Sequence, residues 1–161
     1  MKALIVYYSM GGNTEYAARK TAAQTGADLL RLEPEKEYPS SGFRKFFWGG
    51  KSAVMAEKPK LRPYQFDAGR YDTVIFAFPV WAGNITPPIR TFISENPLNA
   101  ATYAAIACQS GSGAERAFGK LRDCLGHDLA QTLVLIDPKD RPDPAKDLQI
   151  DGFCRALAAG K

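Results

Sequence analysis

Five short apolar runs organise the chain, most of them followed by a stretch whose apolar positions recur at helical spacing. Ala3–Tyr8, Asp28–Leu32, Thr73–Phe78, Thr102–Cys108 and Leu133–Ile136 read as strands. Continuous rather than alternating runs suit strands covered on both faces, as in a parallel sheet. Asn13–Thr25 follows the first run as a helix. Its small residues Ala17, Ala18, Thr21 and Ala22 allow close approach to a sheet, and Gly26 ends it. Pro87 and Pro88 open a second helix, where a missing N–H costs nothing, with Ile89, Phe92 and Ile93 on one face. Ala114–Leu125 carries an apolar stripe of Ala117, Phe118, Leu121 and Leu125, and Ala145–Ala159 one of Leu148, Phe153 and Leu157. Alternation of strand and helix predicts a doubly wound α/β sheet.

Residues 33–66 break the rhythm. They hold Tyr38-Pro39-Ser40-Ser41-Gly42, the aromatic cluster from Phe43 to Trp48, and Gly49-Gly50-Lys51. An ordinary βαβ crossover would make this a helix covering one sheet face. The alternative is a flap in which Trp48 and the Gly49-Gly50 turn sit beside a ligand.

In an open α/β sheet, ligands bind beyond the carboxyl ends of the strands, where the strand order reverses. With the order 2-1-3-4-5, the loops after strands one, three and four converge there. The first, Ser9-Met10-Gly11-Gly12-Asn13-Thr14, opens directly into a helix whose free N–H groups suit a phosphate. It has no Lys or Arg, and neither the GxxxxGK[ST] pattern of nucleotide triphosphate loops nor the GxGxxG of dinucleotide loops. A single terminal phosphate monoester fits it best. The second, Pro79-Val80-Trp81-Ala82-Gly83-Asn84, offers the flat face of Trp81 to a flat aromatic ligand. The third, Gln109-Ser110-Gly111-Ser112-Gly113, brings hydroxyls and N–H donors. Taken alone, Ser9–Thr14 reads as a plain helix cap and Trp81 as core packing; for Trp81, its position after a strand and before Ala82-Gly83-Asn84 reverses that reading.

Composition narrows the classes. The 161 residues are 45% hydrophobic and 24% charged, as expected for one globular domain spanning 1–161. No apolar run approaches the roughly 20 residues of a membrane span. The start, Met1-Lys2 running straight into a strand, predicts a mature cytoplasmic N-terminus. Cys108, Cys124 and Cys154 are odd in number and widely spaced, and His127 is the sole histidine, which argues against a disulfide framework or a metal site. Cys108 reads as an inert packed thiol, and His127 as an exposed turn residue. Lys51, Lys58, Lys60 and Arg62 form a loose basic run, ordinarily a solvated face, with a nucleotide phosphate as the sharper alternative. The net charge of +4 is too small and dispersed to indicate nucleic-acid binding.

The sequences SMGGNT, PVWAGNITPP and CQSGSG, in this order and spacing, resemble the three FMN loops of the flavodoxin family. The resemblance covers nearly the whole chain. It implies a five-stranded flavodoxin-like sheet with helices on both faces and non-covalent FMN. It places the phosphate at Ser9, Gly11, Gly12, Asn13 and Thr14, with Met10 lining the loop. Pro79, Val80, Trp81, Ala82, Gly83 and Asn84 would flank the isoalloxazine. Gln109, Ser110, Gly111, Ser112 and Gly113 would close the pyrimidine and ribityl side. The backbone near Gly83 would reorient toward flavin N5 on reduction, as a glycine permits.

Two features depart from the family's electron carriers. Those are typically acidic, whereas this chain has a pI near 9.0. They also often stack a Tyr from the loop after strand four on the ring, and here that loop has no aromatic. An open ring face suits hydride exchange, so the expected function is an oxidoreductase passing electrons from NAD(P)H through FMN to a quinone or similar small acceptor. No side chain is assigned as acid, base, nucleophile or metal ligand, because the cofactor carries the chemistry. The competing readings are an electron carrier docking to redox proteins and, behind it, an interaction module. The aromatic crossover also offers a patch for a homodimer.

Overall fold

The computed structural model describes residues 1–38 and 57–160. Five parallel strands, β1 (Ala3–Tyr7), β2 (Asp28–Arg31), β3 (Thr73–Pro79), β4 (Thr102–Gln109) and β5 (Gln131–Ile136), form one sheet in the order β2-β1-β3-β4-β5. The helices among the described residues are α1 (Asn13–Thr25), α2 (Pro87–Glu95), α3 (Ala114–Leu125) and α4 (Pro144–Ala159), with a short 3-10 turn at Ala68–Arg70. The flavodoxin-like architecture expected from the sequence is the one observed. The aromatic crossover, with Trp48 and both readings of it, lies outside the described residues.

Successive side chains of a strand point to opposite faces, so each buried strand feeds two cores. Val74, Phe76 and Phe78 of β3 face one way and pack with Ile89 and Phe92 of α2 and Phe118 and Leu121 of α3. Ile75 and Ala77 face the other way, against Ala17 and Ala18 of α1 and Ile150 and Phe153 of α4. Ala17, Ala18 and Thr21 have no exposed surface, which is what lets α1 lie close to the sheet. Burying each of the four fully enclosed phenylalanines stabilises the fold by about 1.5–3 kcal/mol.

Two details differ from the sequence reading. Leu148 does not belong to the apolar stripe of α4: it is 65% exposed, and the buried set is Ile150, Phe153, Cys154 and Leu157. That set follows the i, i+3, i+4, i+7 spacing of one helix face, and position 148 falls about 200° from Ile150 around the axis. Strand β5 begins at Gln131, two residues before its apolar run, because pairing of Gln131 with Ala104 extends the ladder past the buried positions.

The segment returning from the crossover is pinned through Pro34 and Leu61, which form an antiparallel bridge, and through Thr91, whose hydroxyl donates to the Pro59 carbonyl at 2.7 Å. Lys60 pairs with Glu35 at 3.3 Å, and Arg62 with Glu33 at 3.5 Å and Glu37 at 3.4 Å. This part of the basic run is a solvated, charge-balanced surface.

Candidate functional site

The strand order reverses between β1 and β3, and the loops after β1, β3 and β4 meet there around a cavity of about 380 Å3. Its walls include Ser9, Met10, Gly11, Asn13 and Thr14 from the first loop, Pro79, Val80, Trp81 and Ala82 from the second, and Gln109, Ser110, Gly111 and Ser112 from the third. Of the residues expected from the sequence, Gly12, Gly83, Asn84 and Gly113 are not on the wall. The glycines shape the backbone behind it, and Asn84 turns toward a neighbouring cavity.

The first loop reaches α1 through Gly12, which sits at φ 96° and provides no side-chain cap. Among the described residues nothing accepts from the backbone N–H groups of Gly11, Gly12, Asn13 or Thr14. These orphan donors at a helix N-terminus favour an anion through both hydrogen bonding and the helix dipole. The buried hydroxyl of Ser9 accepts from Glu15 N–H at 3.1 Å, which leaves its own O–H free to donate. Thr14, also buried, is a hydrogen-bond partner of the Cys108 thiol on the cavity wall. Burial pushes that thiol up to about 12, so Cys108 is un-ionised at neutral pH, in keeping with an inert packed role.

A fourth loop, after β5, contributes what the sequence reading lacked. Asn13 Oδ1 accepts from the N–H groups of Lys139 at 2.8 Å and Asp140 at 3.2 Å, and its amide donates to the Asp140 carboxylate at 2.8 Å. Lys139 Nζ donates to the Gly11 carbonyl at 3.2 Å, bringing a cation to a loop that has none of its own. Ser110 Oγ donates to Asp137 Oδ1 at 2.6 Å, fastening the third loop to the same segment. Asp140 reaches the cavity wall. The signal for this loop was available: it too leaves the carboxyl end of a strand at the same sheet edge.

The second loop is a tight turn. Trp81 N–H donates to Asn84 O at 3.2 Å and Asn84 N–H to Trp81 O at 2.9 Å, while Ala82 and Gly83 take φ of 50° and 69°. Positive φ at both central residues is the pattern of a type I′ turn, and holding Ala82 there costs about 1 kcal/mol. Behind the turn, Gly113 at φ 107° opens α3 so closely that a Cβ on it would lie 2.9 Å from Gly83 Cα. Gln109 Oε1 accepts from Ala114 N–H at 3.0 Å, capping α3 in place of the missing side chain at Gly113. The indole of Trp81 meets Tyr8 edge-on at 5.7 Å and Tyr38 at 5.2 Å, and this aromatic support fixes its orientation. Among the described residues, Trp81 is the one aromatic side chain on the cavity wall.

Similar folds occur among solved flavoproteins. A candidate flavoprotein from Bacteroides eggerthii DSM 20697 superposes with a TM-score of 0.76 at 24% identity, covering 98% of each chain. A flavoprotein from Lactobacillus acidophilus NCFM, solved in complex with FMN, gives 0.75 at 18% identity, covering 94% of this chain and 97% of that one. The NAD(P)H:quinone oxidoreductase of Methanothermobacter marburgensis gives 0.50 at 13% identity, over 97% and 94%. Residues 2–138 match the flavodoxin family model, and the chain therefore belongs to the flavodoxin family, whose cofactor is FMN.

Proposed function

We propose that the protein is an FMN-dependent oxidoreductase that takes hydride from NAD(P)H and passes electrons to a quinone or similar small acceptor. The observation that carries this reading is the lopsided cavity: orphan N–H donors at one end, and one supported aromatic, Trp81, on its wall. A cavity of about 380 Å3 lies within the usual range of roughly 300–1,000 Å3 for small-molecule sites. The donor set suits a phosphate monoester, and the loops that form the wall pack so closely that a Cβ on Gly12 would meet Lys139 Nζ at 2.9 Å and one on Gly113 would meet Gly83 Cα at 2.9 Å.

In this reading the N–H groups of Gly11 to Thr14, with the hydroxyls of Ser9 and Thr14, hold the phosphate. Lys139 offsets part of its charge, and the Asn13 side chain acts by fastening the loop after β5 rather than by reaching the phosphate itself. Trp81 takes one side of the ring. The Ser110–Ser112 loop and the turn at Ala82–Gly83 present donors to its polar edge. The FMN supplies the hydride and electron chemistry. Among the described residues Trp81 is the one aromatic on the cavity wall, and a ring face left uncovered would admit a second substrate. The net charge of +4 favours approach of anionic nucleotides.

Anaerobic stopped-flow absorbance of the FMN-loaded protein tests the proposal. Rapid bleaching of the flavin band by NADH or NADPH is expected. Absence of bleaching with both would reject the oxidoreductase reading in favour of a carrier.

A further inference from the structure

The turn that carries Trp81 also forms part of the wall of a second cavity, of about 390 Å3, on its other side. Ala82 lines both cavities, so they adjoin across a single residue. The second lies between α2 and α3 and is lined by Arg90, Arg116, Lys120, Asp123 and Cys124, with Asn84 beside them. Three cations against one carboxylate leave it with a formal charge of +2. None of the three cations has a carboxylate within ion-pair distance among the described residues. This contrasts with Lys60 and Arg62, whose charges are balanced by glutamates.

The cluster is built into the fold. Positions 116, 120 and 124 recur every four residues and share one face of α3. Arg90 projects from α2 and is held rigidly: Asn84 Oδ1 accepts from its Nη2 at 3.0 Å, and its Nη1 lies 3.1 Å from Cys124 Sγ. Its Nε is fully buried without any acceptor. Its two Nη atoms rest on neutral partners, so its charge is oriented without being neutralised and would attract an anion in the cavity. A planar fork of donors with two further cations matches phosphoryl oxygens. The volume exceeds what a lone carboxylate needs.

From this we infer that the Arg90–Arg116–Lys120 cavity is a binding site for a diphosphate group, placed so that a nucleotide anchored there extends past Ala82 to the cavity holding the flavin. The diphosphate's identity as part of the nucleotide reductant rests on the function proposed above; the anion site itself does not. The same chemistry could come from a free oligophosphate, and the test separates the two sources.

Calorimetric titration of the FMN-loaded protein with inorganic pyrophosphate, and then with NADP+, which cannot reduce the flavin, is the experiment. Binding of both is expected, each excluding the other. Arg116→Gln and Lys120→Gln, substitutions at the cavity's more open side, should each weaken binding about five- to tenfold with the FMN content unchanged. Pyrophosphate binding without competition from NADP+ would support the anion site and assign it to a free oligophosphate. No pyrophosphate binding, or wild-type affinity in both variants, would overturn the site. Flavin bleaching by NADPH, measured separately on the same samples, reports the oxidoreductase reading: its absence leaves the pyrophosphate isotherms untouched.

Discussion

Replacing Gly113 by Ala perturbs the point where two loops of the site press together. The glycine sits at φ 107°, and the added methyl would stand 2.9 Å from Gly83 Cα, 3.3 Å from Gly83 N and 3.4 Å from Val80 Cγ1. Backbone strain at positive φ costs about 1–2 kcal/mol. Forcing the turn aside costs a further 1–3 kcal/mol or so, the usual range for overpacking. Reduced freedom of the unfolded chain returns about 0.4–1 kcal/mol. The net loss is therefore about 1–4.6 kcal/mol, below a typical domain stability of roughly 5–15 kcal/mol, so the variant is expected to fold. Gly126→Ala is the matched control. That glycine ends the same helix at φ 68° with nothing within 4 Å of its would-be Cβ, so only strain remains, and the expected net loss is about 0–1.6 kcal/mol. Urea denaturation of both apo variants gives the stabilities, and flavin fluorescence quenching gives the FMN affinity. Gly113→Ala should also weaken FMN, because the displaced turn carries Trp81 and Ala82; Gly126→Ala should not. Equal stability losses for the two variants would refute the argument that close contact at Gly113 seats the turn.

Other perturbations separate the site's parts. Trp81→Ala should weaken FMN and change its absorption spectrum, and an unchanged spectrum and affinity would remove Trp81 from the ring's wall. Asn13→Ala deletes three hydrogen bonds to the loop after β5, so amide exchange at Lys139 and Asp140 should accelerate even without FMN. Protection unchanged at those amides would show that the loop is held by other contacts. The Glu15 carboxyl is held below its ordinary range by its hydrogen bond from Arg19 and, with it, the nearby charge of Arg31. A depressed carboxyl stabilises the fold above its unfolded titration range and loses that contribution as pH falls through the folded one. Stability measured from pH 6 down to pH 3 should therefore drop less steeply in Glu15→Gln than in the wild type; parallel curves would mean that the pair contributes nothing.

The strands and helices were legible because parallel strands and their covering helices leave strong signals: continuous apolar runs, proline at the start of α2, glycine at the end of α1; the strand order came with the family resemblance carried by the loops. Three site loops stood out for the same reason, each an unusual sequence following a strong strand. Asn13 was legible as a site residue, but its partners were not, since Lys139 and Asp140 lie more than 120 positions away and are brought to it only by the fold. Asn84 was placed in the right turn, yet which side of that turn its side chain takes depends on Arg90 of α2. The cationic cavity gave no local signal either, because its charges come from two helices with ordinary surface-like sequences. Leu148 misled through composition, where the phase of the helix decides burial.

Central to the account is an anion cradle at the Ser9–Thr14 loop that recognises the flavin by its phosphate. Titrating the apo protein with FMN and then with riboflavin, the same ring and side chain without the phosphate, tests it most directly. Several hydrogen bonds to a charged phosphate, each contributing about 1.5–3 kcal/mol, should make riboflavin weaker by about a hundredfold or more. Equal affinity for the two would contradict the cradle and with it the orientation of the cofactor in the cavity.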